Sequence, residues 1–120
     1  MPKITIEPEN RGLIQEAGSV VIGGVKALQT LSGNGQTIDT SGFVIAVDPN
    51  GARTGTILEA GIADGQIILL LNEGGETITF AAAGTSNFAP GAVALAAGNS
   101  ALCVWDATNS KWTPTSQTLS

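Results

Sequence analysis

Ten carboxylates, one thiol and two tryptophans hold most of the chemical capacity of this 120-residue chain, and no histidine is present to assist any of them. Glu73 and Glu76 flank Gly74-Gly75, and Asp39 and Asp48 bracket an apolar run. Paired carboxylates hydrolyse glycosides when they share a cleft, their pKa values are driven apart and aromatic rings hold the sugar. Two tryptophans, three phenylalanines and no tyrosine are a poor supply of rings for such a cleft. These acids sit in turns, where Asp and Glu cap backbone and confer solubility. Asp48-Pro49-Asn50-Gly51 has the opening of a calcium loop, but only Asp48 and Asn50 fit the ligand positions and no glutamate closes the series. Gly33, Gly35 and Gly42 are not followed by the Gly-Lys-Ser/Thr ending of a phosphate loop. Serine nucleophiles have no histidine base. The expectation is a protein that is not an enzyme, with no catalytic residue, no cofactor and no metal.

Cys103 lies in the apolar run Ala101-Leu102-Cys103-Val104-Trp105 and has no second cysteine to pair with, so it is read as a small buried hydrophobe. Trp105 and Trp112 flank a turn, and their indoles are placed to meet across it or to border it. They are candidate partner or oligomer contacts, with core capping as the other reading and a sugar or receptor platform as a third.

The elements that would position these groups are short and β-like. Hydrophobic residues make up 42% of the chain, which rules out a disordered class. Sixteen glycines and five prolines without a fixed period mark many tight turns. With few rings, the core must be built from Val, Ile, Leu and Ala. The formal net charge is −5, and Lys3, Arg11, Lys26, Arg53 and Lys111 are dispersed, so no nucleic-acid surface is expected. Charged residues are 12% of the chain, about half the usual quarter, and leave neutral surface that can be buried without desolvating ions. Met1-Pro2-Lys3 leads into Ile-Thr-Ile-Glu rather than the apolar core of a signal peptide. No apolar stretch reaches the ~20 residues of a membrane span, and no membrane partner is expected.

Residues 1–17 stand apart. Lys3-Ile4-Thr5-Ile6-Glu7 alternates, Pro8 stops it, and Leu13 to Ala17 has no clear period. They are read as an N-terminal arm that orders against a partner, with an ordinary edge strand as the alternative, ahead of one β domain over 18–120. Ile4, Ile6, Arg11, Leu13 and Ile14 join the two tryptophans as candidate contacts. From Ser19 onward, strand signals recur: 19–22, 25–32 (a strand or a helical turn), 43–47, 54–59, 66–72, 76–81, 92–95, 100–105 and 111–113, with Gln36 to Asp39 leading into the third of them. Asn34-Gly35 reads as a tight turn, and Asp48 to Gly51 as a type I turn with a left-handed glycine. Gln66–Asn72 and Glu76–Ala81 are expected to form a hairpin across Glu73-Gly74-Gly75. About nine closely spaced strands argue for an antiparallel sandwich, or a jelly-roll or barrel-like module.

The order Gly61-Ile62-Ala63-Asp64-Gly65-Gln66, the run to Phe80, then Thr85-Ser86-Asn87, Leu95-Ala96-Ala97-Gly98-Asn99-Ser100, Val104-Trp105-Asp106 and Lys111-Trp112 resembles β modules of tailed-phage structural proteins. Such modules occur in head decoration (cement) proteins and in tail-fibre or spike segments. The resemblance spans about residues 36–114 and leaves 1–17 without a counterpart. It implies a homotrimer without cofactor or catalysis. A chain of 120 residues with its own Met1 is expected to be a small decoration protein rather than a fibre segment. Its expected partner is the major capsid protein and its place the head surface of a virion. The alternative is a tail-fibre, spike or baseplate module that binds a receptor or glycan.

Overall fold

The computed structural model describes residues 13–16, 19–22 and 25–117, with side chains described over 27–115. Among the described residues are eleven strands and one helical turn. β1 (Leu13–Glu16) and β2 (Ser19–Ile22) pair antiparallel in a two-stranded sheet of their own. Ile4, Ile6 and Arg11, and most of the expected arm, lie outside the described residues. Leu13 and Ile14 pair with Ile22 and Val21, so this ladder crosses the expected boundary at residue 17.

The remaining strands alternate between two sheets. β3 (Val25–Leu31), β5 (Val44–Pro49), β7 (Ile67–Asn72), β10 (Ser100–Asp106) and β11 (Lys111–Gln117) form one, in the order β11-β10-β7-β5-β3. β4 (Thr37–Ile38), β6 (Arg53–Leu58), β8 (Ile78–Phe80) and β9 (Ala94–Leu95) form the other. From β3 to β8 the chain therefore lays one strand in each sheet on every circuit, and strands stack parallel: β3 on β5, β5 on β7, β4 on β6 and β6 on β8. Only the later strands β9, β10 and β11 add antiparallel pairs to these sheets. The fold is all-β with two mixed sheets, and neither closes on itself. This corrects the expectation of an antiparallel module and of a barrel.

Alternation within each strand builds a shared core. Ile45 and Val47 from β5, Ile68 and Leu70 from β7, and Ala101 and Cys103 from β10 meet Ile38, Leu58, Ile78, Phe80 and Leu95 of the second sheet in one buried cluster. Phe80 and Phe88 stack at 4.8 Å between ring centroids, tilted by 54°. The helical turn α1 (Ala83–Ser86) ends at Asn87, whose left-handed backbone (φ 59°) turns the chain and whose Nδ2 donates to the Leu58 carbonyl at 2.8 Å.

The expected hairpin between β7 and β8 does not form; the two strands lie in different sheets. β7 already has β5 on one side and β10 on the other, so no edge is open to β8. Asn72 supplies the exit. Its side chain is buried, Nδ2 donates to the carbonyls of Glu76 (2.8 Å) and Leu95 (3.0 Å), and Oδ1 accepts from the Gly74 N–H (3.0 Å). These bonds carry the chain out of one sheet and into the other. Gly74 serves close approach here: a Cβ on it would lie 2.5 Å from Asp48 Oδ1 and 2.6 Å from Pro49 Cδ.

The expected left-handed glycine at 51 is also corrected, since Gly51 is not among the glycines with positive φ. β5 runs on through Pro49, which pairs with Leu31. Pro49 has no N–H to give, and the ladder continues with Asn50 N–H donating to the Leu31 carbonyl at 3.2 Å. Left-handed glycines fall instead at Gly35, in the expected Asn-Gly turn, at Gly55, where β6 shifts register against β8, and at Gly65, Gly91 and Gly98.

Candidate functional site

The acids singled out from the sequence do not assemble a reaction centre. Glu73 and Glu76 are exposed, and the Glu73 backbone N–H donates to the Val47 carbonyl. Asp39 is held as a turn: its Oδ1 accepts from Ser41 N–H, while the Gln29 side-chain amide pairs with the Asp39 backbone N–H and carbonyl at 2.8 and 2.7 Å. In the segment that resembled a calcium loop, Asn50 Oδ1 accepts from Arg53 Nη2, and Arg53 Nε donates to the Leu31 carbonyl at 3.0 Å. A guanidinium thus occupies the oxygen a cation would need. Among the described residues no group of three or more acids or cysteines is placed to hold a metal ion.

Cys103 is buried, and burial alone pushes its thiol up from 9.0 to about 12. The neutral thiol is the form the core accepts. Because the folded pKa is raised, the stability associated with this group is fully present below pH 9.0 and is lost as pH rises through about 12. The expected result is a thiol inert to disulfide reagents in the native chain at pH 8 and reactive once urea unfolds it. Rapid stoichiometric labelling of native protein would contradict this placement. Asp106 has its carboxyl held below the usual range, first by the Asn109 side-chain amide and then by the Asn109 and Thr108 backbone N–H groups, which close the turn between β10 and β11.

Trp105 and Trp112 are brought together, but inside the molecule. They are register partners across β10 and β11, 5.3 Å apart at 59°, and 5% and 0% exposed. Of the readings open from the sequence, core capping fits this placement. The Trp112 backbone pairs with the segment after α1, donating to the Asn87 carbonyl (2.7 Å) and accepting from Ala89 N–H (2.8 Å), while further contacts of both tryptophans run to the loop 59–66. Trp112 Nε1 donates to the Glu59 carbonyl at 2.8 Å. Trp105 lies so close under Gly61 that a Cβ there would sit 2.3 Å from its Cγ. Only glycine can pass over the indole at that distance. The Trp105 backbone adds two bonds, accepting from Gly65 N–H (2.9 Å) and donating to the Gln66 carbonyl (2.8 Å).

Side chains complete the fastening. Asp64 Oδ1 accepts from Ala107 N–H at 3.0 Å, Gln66 Oε1 from Ile62 N–H at 2.8 Å, and Thr40 Oγ1 donates to the Glu59 carbonyl at 3.1 Å. At the tip of this pinned loop Ile62 is 92% exposed. The hydrogen bonds fix the Ile62 backbone, while its side chain stands in water. Ile62 was not singled out from the sequence. Its signal was there in one large aliphatic residue between Gly61 and Asp64-Gly65, where solvated turns carry small or polar side chains.

The chain matches no protein-family model, and no curated protein matches it.

Proposed function

We propose that this chain is a structural virion protein, a head decoration (cement) protein that docks on the outer capsid surface and stabilises the shell. The observation that carries the reading is the loop 59–66, which displays Ile62 at 92% exposure while hydrogen bonds and the two indoles hold it still. Burying one such side chain contributes about 1.5–3 kcal/mol. Alone that is weak, but a homotrimer on a repeating lattice multiplies it through effective concentration. The partner in this reading is the major capsid protein and the location the head surface. In the same reading the two mixed sheets face each other as a sandwich across the shared core. The tail-fibre, spike or baseplate alternative relied on exposed indoles as a receptor or glycan platform, and both indoles are core residues.

The test is to mix the purified protein with phage heads stripped of their decoration layer and to follow binding by sedimentation and electron microscopy. Saturable occupancy at regular lattice positions supports the proposal; labelling confined to tail tips or host cells overturns it. Ile62→Asp should leave unfolding free energy within about 0.5 kcal/mol of the parent, because the side chain touches little. The same variant should bind heads at least about tenfold more weakly, since docking would desolvate a carboxylate. Undiminished binding would remove Ile62 from the contact.

A further inference from the structure

The two sheets differ on their outer faces. On the four-stranded sheet the side away from the core carries Thr37 and Thr79 alongside Ile57 and Ala94. On the five-stranded sheet, β7 buries Ile68, Leu70 and Asn72 and turns Ile67, Leu69 and Leu71 outward; β10 does the same with Leu102 and Val104. Registers align these into rows: Val44–Leu69–Leu102 across β5, β7 and β10, and Ile67–Val104 beside them. Ala46 stands next to Leu71 in a third row. Ile67 is 47% exposed, and Leu28 on β3, in the irregular stretch opposite this part of β5, is 53% exposed. Among the side chains described on this sheet, charge appears only at Asp48 and at Asp106 with Lys111; Lys26 is the one charged residue in β3.

Strands such as Ile67–Leu71, apolar at every position and paired parallel on one side, here to β5, are typical of sheets covered on both faces. The inner face is covered by the second sheet, and no layer among the described residues covers the outer one. We propose that this outer face of the five-stranded sheet packs against the same face of a second copy of the chain. Its chemistry selects that occupant. The centre of the face holds no charge and almost no hydrogen-bonding group, so a polar or charged partner would find nothing to pair with. Another copy presents the same valines and leucines and brings no ion into the contact. Four strands at about 4.8 Å spacing and six residues at about 3.3 Å rise make a face of about 400 Å². Two copies bury about 800 Å², below the ~1,200 Å² at which stable specific interfaces begin, so association is concentration-dependent. The inference concerns self-association and does not rest on capsid docking.

Sedimentation equilibrium of the full chain from micromolar to about 1 mM tests it. The weight-average mass should rise from 12.1 kDa toward twice that value, because a face that packs on its own copy closes as a dimer. A rise toward three times that mass, the homotrimer of the capsid reading, would overturn the same-face contact. Leu102→Lys should weaken association at least about tenfold by placing an unpaired charge in the contact. Leu69→Gln, a milder change, should do so in part. Thr79→Lys, on the opposite outer face, should have no effect. Near-UV circular dichroism from the buried tryptophan pair reports whether each variant is folded. A parent chain that stays monomeric throughout, or a folded Leu102→Lys that assembles like the parent, overturns the proposal. In the monomeric case, loss of head binding by Leu102→Lys would assign the face to a capsid. Unchanged binding would assign it to the chain's own N-terminal residues.

Discussion

Replacing Trp112 with alanine should lower the free energy of unfolding by about 4–5 kcal/mol, the largest effect expected of any single substitution considered for this chain. Trp112 is fully buried and ranks first by volume among the fully buried side chains, so truncation removes the most apolar contact and leaves the largest cavity. It also strips the Glu59 carbonyl of the Nε1 donor at 2.8 Å, although Thr40 Oγ1 still reaches that oxygen at 3.1 Å. The loss consumes much of the 5–15 kcal/mol by which small domains are stable. Urea unfolding followed by far-UV circular dichroism measures it, and near-UV coupling between the indoles should vanish. Trp112→Phe keeps a ring against Trp105 and should cost about half as much, the remainder reflecting lost volume and the lost donor. A cost below about 1 kcal/mol for the alanine variant would mean that Trp112 is not the packing centre of this end of the core.

The second large effect is at Asn72. Asn72→Ala should cost about 3 kcal/mol, because the Leu95 carbonyl loses a buried donor and the half-buried bonds to the Glu76 carbonyl and from Gly74 N–H are lost with it. Hydrophobic area predicts little cost here, so the size of the loss separates a hydrogen-bonding role from simple packing. Asn72→Asp sharpens the test. Its carboxylate could still accept from Gly74 N–H but would face two carbonyl oxygens in a buried site, so its folded pKa would be raised. A raised folded pKa means stability that is present below the unfolded value near ~4 and lost as pH rises through the folded value. The deficit of this variant against the parent should therefore be greatest at neutral pH and shrink toward pH ~4. A deficit independent of pH would contradict the geometry given for the exit from β7.

Strand positions were readable because they depend on local chemistry. β-Branched and aliphatic runs bounded by Gly, Asn and Asp mark where a chain extends and where it must turn. The segments 43–47, 66–72 and 100–105 accordingly fall on β5, β7 and β10. The buried placement of Cys103 was readable for the same reason, from its apolar neighbours.

Pairing was not readable, because it is decided between segments distant in sequence. Gly74-Gly75 between two strands looks locally like a hairpin. Whether it is one depends on β10, nearly thirty residues onward, taking the edge of β7 first. One clue to the parallel arrangement was present in Ile67-Ile68-Leu69-Leu70-Leu71, whose lack of alternation is the mark of a strand covered on both faces. Likewise the sequence alone determined that Trp105 and Trp112 would lie near each other across a turn. Only the tertiary structure decided that they point inward, where one anchors Glu59 and the other lies beneath Gly61. Ile62 stands exposed at the tip of the loop that this long-range fastening holds. Sequence determines which residues can extend, turn or be buried, since those preferences act over a few bonds. Which faces are finally covered is a competition among all segments for the same surfaces, and it is settled when the chain closes on itself.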